Sequence, residues 1–358
     1  MSLDIAFFGS SLVSAYWNGA ATYYRGVLRG LAQNGHRITF YEPDAYDRQR
    51  HRDILDPDWA RIVVYPATED GVERALDAVR DADLLIKASG IGVFDRLLEA
   101  RVPALKREGA LCAFWDVDAP ATLDRITADP GDPFRPLIPV YDLVLTYGGG
   151  PPVVAGYEKF GARLCVPIYN GLDPATHHPT PPEPRFACDL GLVANRLPDR
   201  ERRIEEFFLD VAGELREQRF LLAGAGWQDK PMPGNVDYIG HLYTAGHNAF
   251  NASALAVLNV SRDSMAAYGY SPATRVFEAA GAAACLITDA WQGIDLFFEP
   301  GREILVADSG PAVAEQLARL TPAEARRIGA AARARALAEH TYAQRVTLLE
   351  DVLAGRGR

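Results

Sequence analysis

The chain has 358 residues, of which 48% are hydrophobic and 23% charged, and its formal net charge is −10 at pH 7. This length suits two domains better than one core, and the charge argues against general binding to nucleic acid or to an anionic membrane surface. No apolar run reaches the roughly 20 residues of a membrane span. The first residues lack the basic segment of a signal peptide, and the four cysteines lack CxxC spacing, so we expect free thiols and a cytoplasmic protein.

The first half of the chain alternates short apolar strands with helices. Strands are predicted at residues 5–8, 37–41, 61–65, 83–87, 111–115, 142–146 and 163–168. Helices are predicted between them, for example at residues 20–34, 69–80 and 151–160. Such alternation predicts a parallel sheet with helices on both faces.

Residues 173–185 interrupt this alternation with five prolines and no apolar period, which predicts a linker. The alternation then restarts. Strands are predicted at residues 187–193, 220–223, 236–239, 255–260, 284–287 and 304–306, and helices at residues 199–215, 244–251, 311–319, 322–340 and 342–353. A second domain of the same kind is therefore expected.

Residues 268–289 of this second half are predicted to form a loop, a helix and a buried strand. Ser271 suits the N-cap and Pro272 the first helical position. Arg275 and Glu278 share one stripe of an otherwise uncharged helix. They could form an exposed ion pair worth a few tenths of a kcal/mol. The alternative is a ligand site, with a guanidinium for phosphate and a carboxylate for sugar hydroxyls.

Four arginines crowd the start of the predicted helix 199–215, at positions 196, 200, 202 and 203. A helix N-terminus is already partly positive, so these cations need an anionic partner. Neighbouring glutamates could supply it, but a nucleotide diphosphate is the sharper hypothesis. Arg196 and Arg200 are therefore candidate ligands of a diphosphate, and the adjacent Asn195 is a further candidate.

Two loops of the first half are further candidates. Asn18 and Gly19 follow the first strand, where a glycine lets backbone amides approach a phosphate or sugar; an ordinary helix-entry turn is the alternative. Asp116 and Asp118 follow a later strand. Asp118 suits an N-cap, which would leave Asp116 facing the solvent beyond the sheet, where it could orient or deprotonate a ligand hydroxyl.

The run Tyr-Ser-Pro-x-x-Arg-x-Phe-Glu-Ala-Ala at 270–280 resembles the donor-binding motif of CgeB-like glycosyltransferases, which are glycosyltransferase group 1-like members of the GT-B superfamily. Further segments agree in order, at residues 17–25, 115–120, 198–200, 258–262 and 298–303. The resemblance implies an α/β fold of the GT-B type, with two facing Rossmann-like, doubly wound domains and a cleft between them. Residues 1–172, completed by the last helix at 341–358, would form the acceptor side, and residues 186–340 the donor side.

The resemblance also assigns roles to single residues. Glu278 matches the carboxylate that binds the ribose hydroxyls, with Tyr270 and Ser271 in the loop before it. The turn Gly240, His241 and Leu242 resembles the one that holds the nucleobase. Tyr270 stands where related retaining enzymes carry a second glutamate, eight positions before Glu278, so Asp263 could replace that acid. His241 and His247 are six positions apart and do not share a helix face, so no zinc site is expected.

The implied activity is transfer of a sugar from a nucleotide-diphosphate sugar, with a UDP-sugar favoured, to an unknown acceptor. Retention of configuration is implied, without metal or other cofactor. Arg200 and Arg275 would stabilise the diphosphate leaving group, and Asp116 would serve the acceptor. An epimerase of the same fold and a catalytically silent nucleotide-sugar-binding protein are the alternatives. The sequence sets neither the acceptor nor the oligomeric state.

Overall fold

The computed structural model describes residues 2–355 and resolves two compact units. The first comprises Met1–Tyr169 and Tyr342–Arg358, and the second comprises Asn170–Thr341. Each unit is a parallel sheet flanked by helices, as the alternation of strands and helices predicted. No helix among the described residues is long and apolar enough to cross a bilayer. The four cysteines are all free thiols, as expected.

The first unit contains a seven-stranded sheet in the order β3-β2-β1-β4-β5-β6-β7, in which all neighbours are parallel. Its strands are β1 Asp4–Phe8, β2 Arg37–Asp44, β3 Ala60–Pro66, β4 Leu84–Ala88, β5 Leu111–Asp116, β6 Leu143–Thr146 and β7 Cys165–Pro167. The helices that connect them are α1 Ala21–Gln33, α2 Glu69–Asp77, α3 Asp95–Ala104, α4 Ala119–Ala128 and α5 Gly150–Lys159. The central strands are continuous apolar runs because helices cover both faces of the sheet.

The second unit contains a six-stranded parallel sheet in the order β10-β9-β8-β11-β12-β13. Its strands are β8 Cys188–Val193, β9 Phe220–Ala223, β10 Val236–Tyr238, β11 Ala254–Asn259, β12 Leu286–Asp289 and β13 Leu305–Ala307. Its helices are α6 Pro198–Ile204, α7 Asp210–Glu214, α8 Thr244–Ser253, α9 Asp263–Tyr268, α10 Thr274–Gly281, α11 Gly310–Arg319 and α12 Pro322–Glu339. A π-helical turn, Glu205–Leu209, joins α6 to α7, so the predicted helix 199–215 is continuous but contains an irregular turn.

The last helix, α13 (Tyr342–Leu353), packs in the first unit against α1. Two glycines of α1 allow the close approach. A Cβ at Gly26 would lie 2.1 Å from Cδ2 of Tyr342, and a Cβ at Gly30 would lie 2.7 Å from Cγ2 of Val346. Buried side chains of α13 therefore complete the core of the first unit. Residues 356–358, which the predicted helix 341–358 included, lie outside the described residues.

We expect Gly26→Ala to destabilise the protein, although alanine is the better helix former by about 0.5–1 kcal/mol. The new methyl group would overlap the Tyr342 ring, and overpacking of this kind costs about 1–3 kcal/mol. Gly213→Ala in α7 is the matched control, because a Cβ there would meet no atom within 4 Å. The midpoint of thermal unfolding should fall for the first variant and stay level or rise for the second. Equal midpoints in the two variants would contradict the tight contact between α1 and α13.

Two predictions of local structure are wrong. Residues 173–185 do not form a separate linker, since they belong to the second unit and bury Asp173 and His177. The helix of the 268–289 stretch begins at Thr274 rather than Pro272, with Ala273 at the N-cap. Ser271 does not cap it, because its hydroxyl donates to the carbonyl of Gly269 (2.9 Å) and fixes the preceding loop instead.

Candidate functional site

In each sheet the strand order reverses at one point, between β1 and β4 in the first unit and between β8 and β11 in the second. Ligands of open parallel sheets bind beyond the carboxyl ends of the strands at such a point. In the second unit, the segments that leave β8 and β11 there begin with Ala194-Asn195-Arg196 and Val260-Ser261-Arg262. Of the candidate donor residues, Asn195 and Arg196 therefore follow a strand that borders this switch point.

A buried carboxylate anchors this edge of the second sheet. Asp289, at the end of β12, is fully buried and accepts hydrogen bonds from Arg203 Nη2 (2.6 Å) and from the backbone and hydroxyl of Ser261 (3.1 Å each). Burial raises the pKa of Asp289, and the Arg203 guanidinium opposes that shift. Arg203 therefore ties α6 to the ends of β11 and β12, a role that its place in an arginine cluster did not reveal.

Arg196, a second arginine of this cluster, is engaged with neighbouring carboxylates. Arg196 pairs with Glu201 (2.8 Å) and Asp229 (2.9 Å). Arg196 and, after it, Lys230 lower the pKa of the Glu201 carboxyl to about 2. For Arg196 the structure thus supports compensation by neighbouring carboxylates over the hypothesis of a diphosphate.

Asn195 and Arg200 hold the turn that follows β8. The Asn195 side chain accepts from the amide of Ala225 (2.9 Å), and its carbonyl accepts from Arg200 Nη2 (2.8 Å). One nitrogen of the Arg200 guanidinium thus donates to the turn at the switch point.

The turn of Gly240, His241 and Leu242 connects β10 to α8. Gly240 has a positive φ of 75°, which glycine adopts without strain, and its carbonyl accepts from the amide of Gly224 (2.7 Å). The His241 ring lies edge-on to Tyr243. The carbonyl of Leu242 lies 3.4 Å from Nε2 of His247. The predicted nucleobase turn therefore contacts the first turn of α8.

The loop before α10 is held in an unusual conformation. Tyr270 has a positive φ of 49°, which is uncommon for a residue with a bulky side chain. Its amide donates to the carbonyl of Gln292 (2.6 Å), and its ring lies so close to Gly293 that a Cβ there would be 2.2 Å from Cδ1. Strained residues of this kind persist where the surroundings hold them, often at ligand sites. Asp263, the alternative acid, is half exposed and 3.9 Å from Nε of Arg203.

Glu278 is a buried carboxylate between two histidines. Its Oε1 lies 3.8 Å from Nε2 of His177, and its Oε2 lies 3.5 Å from Nδ1 of His247. Burial by itself raises the pKa of the Glu278 carboxyl, but His177, His247 and Arg275 outweigh it and bring the pKa to about 2. Glu278 is therefore ionised at neutral pH and is not an exposed side chain.

Arg275 is half-buried one turn before Glu278 and has no carboxylate within 4.0 Å among residues 2–355. Burial lowers its pKa and the charge of Glu278 raises it, but an arginine stays charged in proteins. The hypothesis of an exposed Arg–Glu ion pair is therefore wrong. The structure instead leaves a partly desolvated cation beside an ionised carboxylate.

In the first unit, Asn18 is buried and its side chain closes its own loop. Its Oδ1 accepts from the hydroxyl of Ser10 (2.9 Å), and its Nδ2 donates to the carbonyls of Ser11 (2.8 Å) and Ser14 (3.0 Å). A Cβ at Gly19 would meet no atom within 4 Å, so open space borders this residue. Asn18 thus shapes the loop after β1, and Gly19 leaves its backbone accessible.

Asp116 does not face the solvent, and this prediction is wrong. Its side chain is fully buried, and both carboxylate oxygens accept hydrogen bonds. The donors to Oδ1 are the hydroxyl of Ser89 (2.7 Å) and the amide of Asp118 (2.9 Å), and the donor to Oδ2 is the hydroxyl of Tyr157. Asp116 therefore fastens β5 to its neighbours, because a buried carboxylate needs such partners.

Sequence reasoning missed His177 altogether. It lies in the segment that was predicted to be a linker, where neither spacing nor periodicity marks it as a functional residue. The fold brings one ligand atom each of His177, His247 and Glu278 within 4.8 Å of one another. The expectation that no histidine pair suits a metal was drawn from His241 and His247 and did not anticipate this cluster.

Residues 200–351 match the model of the glycosyl transferase-like family. The chain is similar in structure to the sucrose-phosphate synthase of Thermosynechococcus elongatus, at 14% identity and a TM-score of 0.68, over 99% of this chain and 98% of that one. It is also similar to the Anabaena protein HepE in complex with UDP-glucose, at 12% identity and a TM-score of 0.70, over 99% of this chain and 100% of that one. A third similar structure is that of an alpha-glucosyltransferase in complex with UDP-glucose and DNA containing an abasic site. The identity is 12% and the TM-score 0.71, over 99% of this chain and 100% of that one. No curated protein matches the chain in sequence.

These likenesses confirm the GT-B fold over almost the whole chain. The family match gives the class of protein, which is that of the glycosyltransferases. The match covers α6 to α13, and so includes the loop before α10, Arg275 and Glu278.

Proposed function

We propose that the protein transfers a sugar from a UDP-sugar to an acceptor, with retention of configuration and without a catalytic metal. The observation that carries this proposal is the pair of charges on α10. Glu278 is buried and ionised, and Arg275 is half-buried with no carboxylate partner within 4.0 Å among the described residues. A buried carboxylate suits the hydroxyls of a ribose, and a guanidinium suits a phosphate.

The donor would be held by segments of the second unit that meet at one edge of its sheet. Glu278 accepts hydrogen bonds from the ribose, and the turn of Gly240, His241 and Leu242 offers backbone groups to the base. Arg275 and Arg200 face the diphosphate, and Tyr270 and Ser271 form the loop beside the sugar. UDP is favoured as the nucleotide because HepE and the alpha-glucosyltransferase were each determined with UDP-glucose.

Catalysis would rest on charge stabilisation. As the bond between sugar and diphosphate breaks, negative charge grows on the leaving oxygen and the sugar becomes oxocarbenium-like. Arginines aimed at that oxygen lower the barrier because they bind the transition state more strongly than the ground state. Retention follows from the resemblance to retaining enzymes that share the position of Glu278. The free cysteines suit a reducing compartment, so we place the activity in the cytoplasm.

A thermal-shift screen of nucleoside diphosphates and their sugars tests the proposal. A ligand at a hundredfold its dissociation constant stabilises the folded state by about 2.7 kcal/mol, so UDP and one UDP-sugar should raise the unfolding temperature clearly. Incubation of that UDP-sugar with candidate acceptors should then release UDP and form a glycoside. An epimerised nucleotide sugar formed without acceptor would instead identify an epimerase. Binding without turnover across acceptors would favour a silent binding protein.

Chelation should not lower the rate of transfer. Arginines can supply the charge stabilisation that Mg²⁺ provides in other enzymes that act on phosphates. The measurement is the initial rate of UDP release before and after dialysis against EDTA, with added Mg²⁺ or Mn²⁺ as the comparison. A rate lost on dialysis and restored by either ion would contradict the metal-independent mechanism.

A further inference from the structure

Three side chains from separate segments of the second unit converge on one point. His177 comes from the chain after β7, His247 from α8 and Glu278 from α10. One nitrogen of each ring and one carboxylate oxygen all lie within 4.8 Å of one another. The nitrogen–oxygen distances are 3.8 Å for His177 and 3.5 Å for His247.

These distances are closer to those of a metal site than to those of hydrogen bonds. Hydrogen bonds between nitrogen and oxygen are about 2.7–3.2 Å long. In a four-coordinate zinc site, bonds of about 2.0–2.1 Å place neighbouring ligand atoms about 3.3 Å apart. One ligand atom from each residue lies within 4.8 Å of the others, so these atoms would draw together by up to about 1.5 Å on binding zinc.

The His177 ring supplies an independent observation. It is only 2% exposed, and neither of its nitrogens has a hydrogen-bond partner among residues 2–355. The side chain of Asn248, which follows His247, bonds to the backbone on both sides of His177, at the carbonyl of Thr176 (2.8 Å) and the amide of His178 (3.3 Å). Buried polar groups are nearly always satisfied, so two unpartnered nitrogens in one buried ring indicate that a ligand completes this site.

His247 has the orientation of a metal ligand with a supporting partner. Its Nε2 lies 3.4 Å from the carbonyl of Leu242, which can only accept a hydrogen bond. In the tautomer that carries its proton on Nε2, the lone pair of Nδ1 is turned towards the carboxylate of Glu278, whereas in the other tautomer Nδ1 donates to it. Two lone pairs face each other in the first tautomer, and a cation between them removes the repulsion. Metal-bound histidines commonly donate their other N–H to a carbonyl in this way.

Backbone packing holds the three segments in place. A Cβ at Gly281 of α10 would lie 2.4 Å from Cδ1 of Leu172 and 2.7 Å from the carbonyl oxygen of His177. The side chain of Asn170 donates to the carbonyl of Pro272 (2.8 Å). The chain that carries His177 is thus packed directly against the helix that carries Glu278. A rigid backbone of this kind is what an organised ligand site requires.

We propose that His177, His247 and Glu278 form a binding site for a transition-metal cation, best matched by Zn²⁺, and that a bound cation withholds Glu278 from the nucleotide sugar. Two imidazoles and one carboxylate with an open fourth position are a common zinc ligand set, whereas Mg²⁺ prefers oxygen ligands and bound water. The second part of this proposal, inhibition by the bound cation, rests on the proposed role of Glu278 in donor binding. The site is inhibitory rather than catalytic, so it is compatible with a transfer that needs no metal.

Metal binding can be tested without any nucleotide. Untagged, metal-free protein is titrated with Co²⁺ while the visible absorption of the four-coordinate ion is followed, and with Zn²⁺ by calorimetry. We expect one site per chain, with affinity reduced at least tenfold in His177→Gln and in His247→Gln. His178→Gln is the matched control, since His178 is the exposed neighbour of His177 and should bind as the wild type does. Circular dichroism confirms that each variant is folded.

Inhibition by the bound cation is tested by titrating UDP with and without saturating Zn²⁺. UDP affinity should fall at least tenfold with Zn²⁺ in the wild type and in His178→Gln, but not in His177→Gln. Absence of a saturable site, or full affinity in both histidine variants, would overturn the metal site. Metal binding that leaves UDP affinity unchanged would overturn the inhibition. Failure of UDP to bind without metal would refute the proposed function. The titrations with Co²⁺ and Zn²⁺ would still show whether the metal site exists, because they use no nucleotide.

Discussion

Replacement of Glu278 by glutamine should weaken UDP binding about 10- to 100-fold while the fold survives. Glutamine keeps the shape of the side chain but removes the negative charge, and hydrogen bonds to charged groups contribute about 1.5–3 kcal/mol. The effect should be as large for uridine as for UDP, since the ribose is common to both. Calorimetric titration of the two ligands measures it.

Glu299→Gln is the control for this experiment. Glu299 is exposed, lies in the same unit and pairs with Arg302 (2.9 Å). It should leave both affinities unchanged. Affinities of Glu278→Gln close to those of the wild type would show that the buried carboxylate is an element of structure alone and does not contact the ribose.

Arg275→Lys should lower kcat about 10- to 100-fold and change KM much less. Lysine keeps the positive charge but loses the planar, two-pronged donor. The loss should be greatest where the charge on the leaving diphosphate is greatest, which is the transition state. Removal of a comparable donor from other enzymes lowers kcat about 10²- to 10³-fold, and the retained charge of lysine moderates the effect. Steady-state kinetics with the UDP-sugar found in the screen gives both constants.

Arg302→Lys is the matched substitution for Arg275→Lys, because Arg302 is exposed and already paired with a glutamate. It should have no effect on kcat. Binding of uridine should be unchanged in both variants, since uridine has no phosphate. A silent Arg275→Lys would mean that Arg275 is only a solvated cation, whereas an equal loss of uridine affinity would point to damage to the site as a whole.

The architecture could be predicted from the sequence because it depends on short-range patterns. Apolar runs separated by helical segments indicate a parallel sheet wherever they occur, and both sheets formed as predicted. The helix start near Ser271 was misplaced by a local competition. Its hydroxyl can cap a helix or satisfy a nearby carbonyl, and the carbonyl of Gly269 is the partner in the fold.

The chemistry of individual residues was harder to predict because it depends on partners that are distant in the chain. Asp116 gave the pattern of an accessible carboxylate, yet its partners Ser89 and Tyr157 come from other elements and enclose it. Glu278 and Arg275 are three positions apart, which suggested a mutual pair. Instead the nearest charged or titratable partners of Glu278 are His247 (3.5 Å) and His177 (3.8 Å), the second of which lies about 100 residues earlier in the chain. Sequence spacing does not reveal contacts of this kind.

The return of α13 to α1 has a consequence for how the chain folds as it is synthesised. The first unit is assembled from two stretches of chain, and the whole second unit is encoded between them. Domains generally fold as units during synthesis, beginning with those made first. Here the earliest-made sheet must wait, with the α1 surface around Gly26 and Gly30 uncovered, until the second unit has left the ribosome. The second unit is therefore complete in sequence before the first unit is. Nascent chains that stall near residue 341 would expose the apolar surface of α1 that α13 covers in the folded protein.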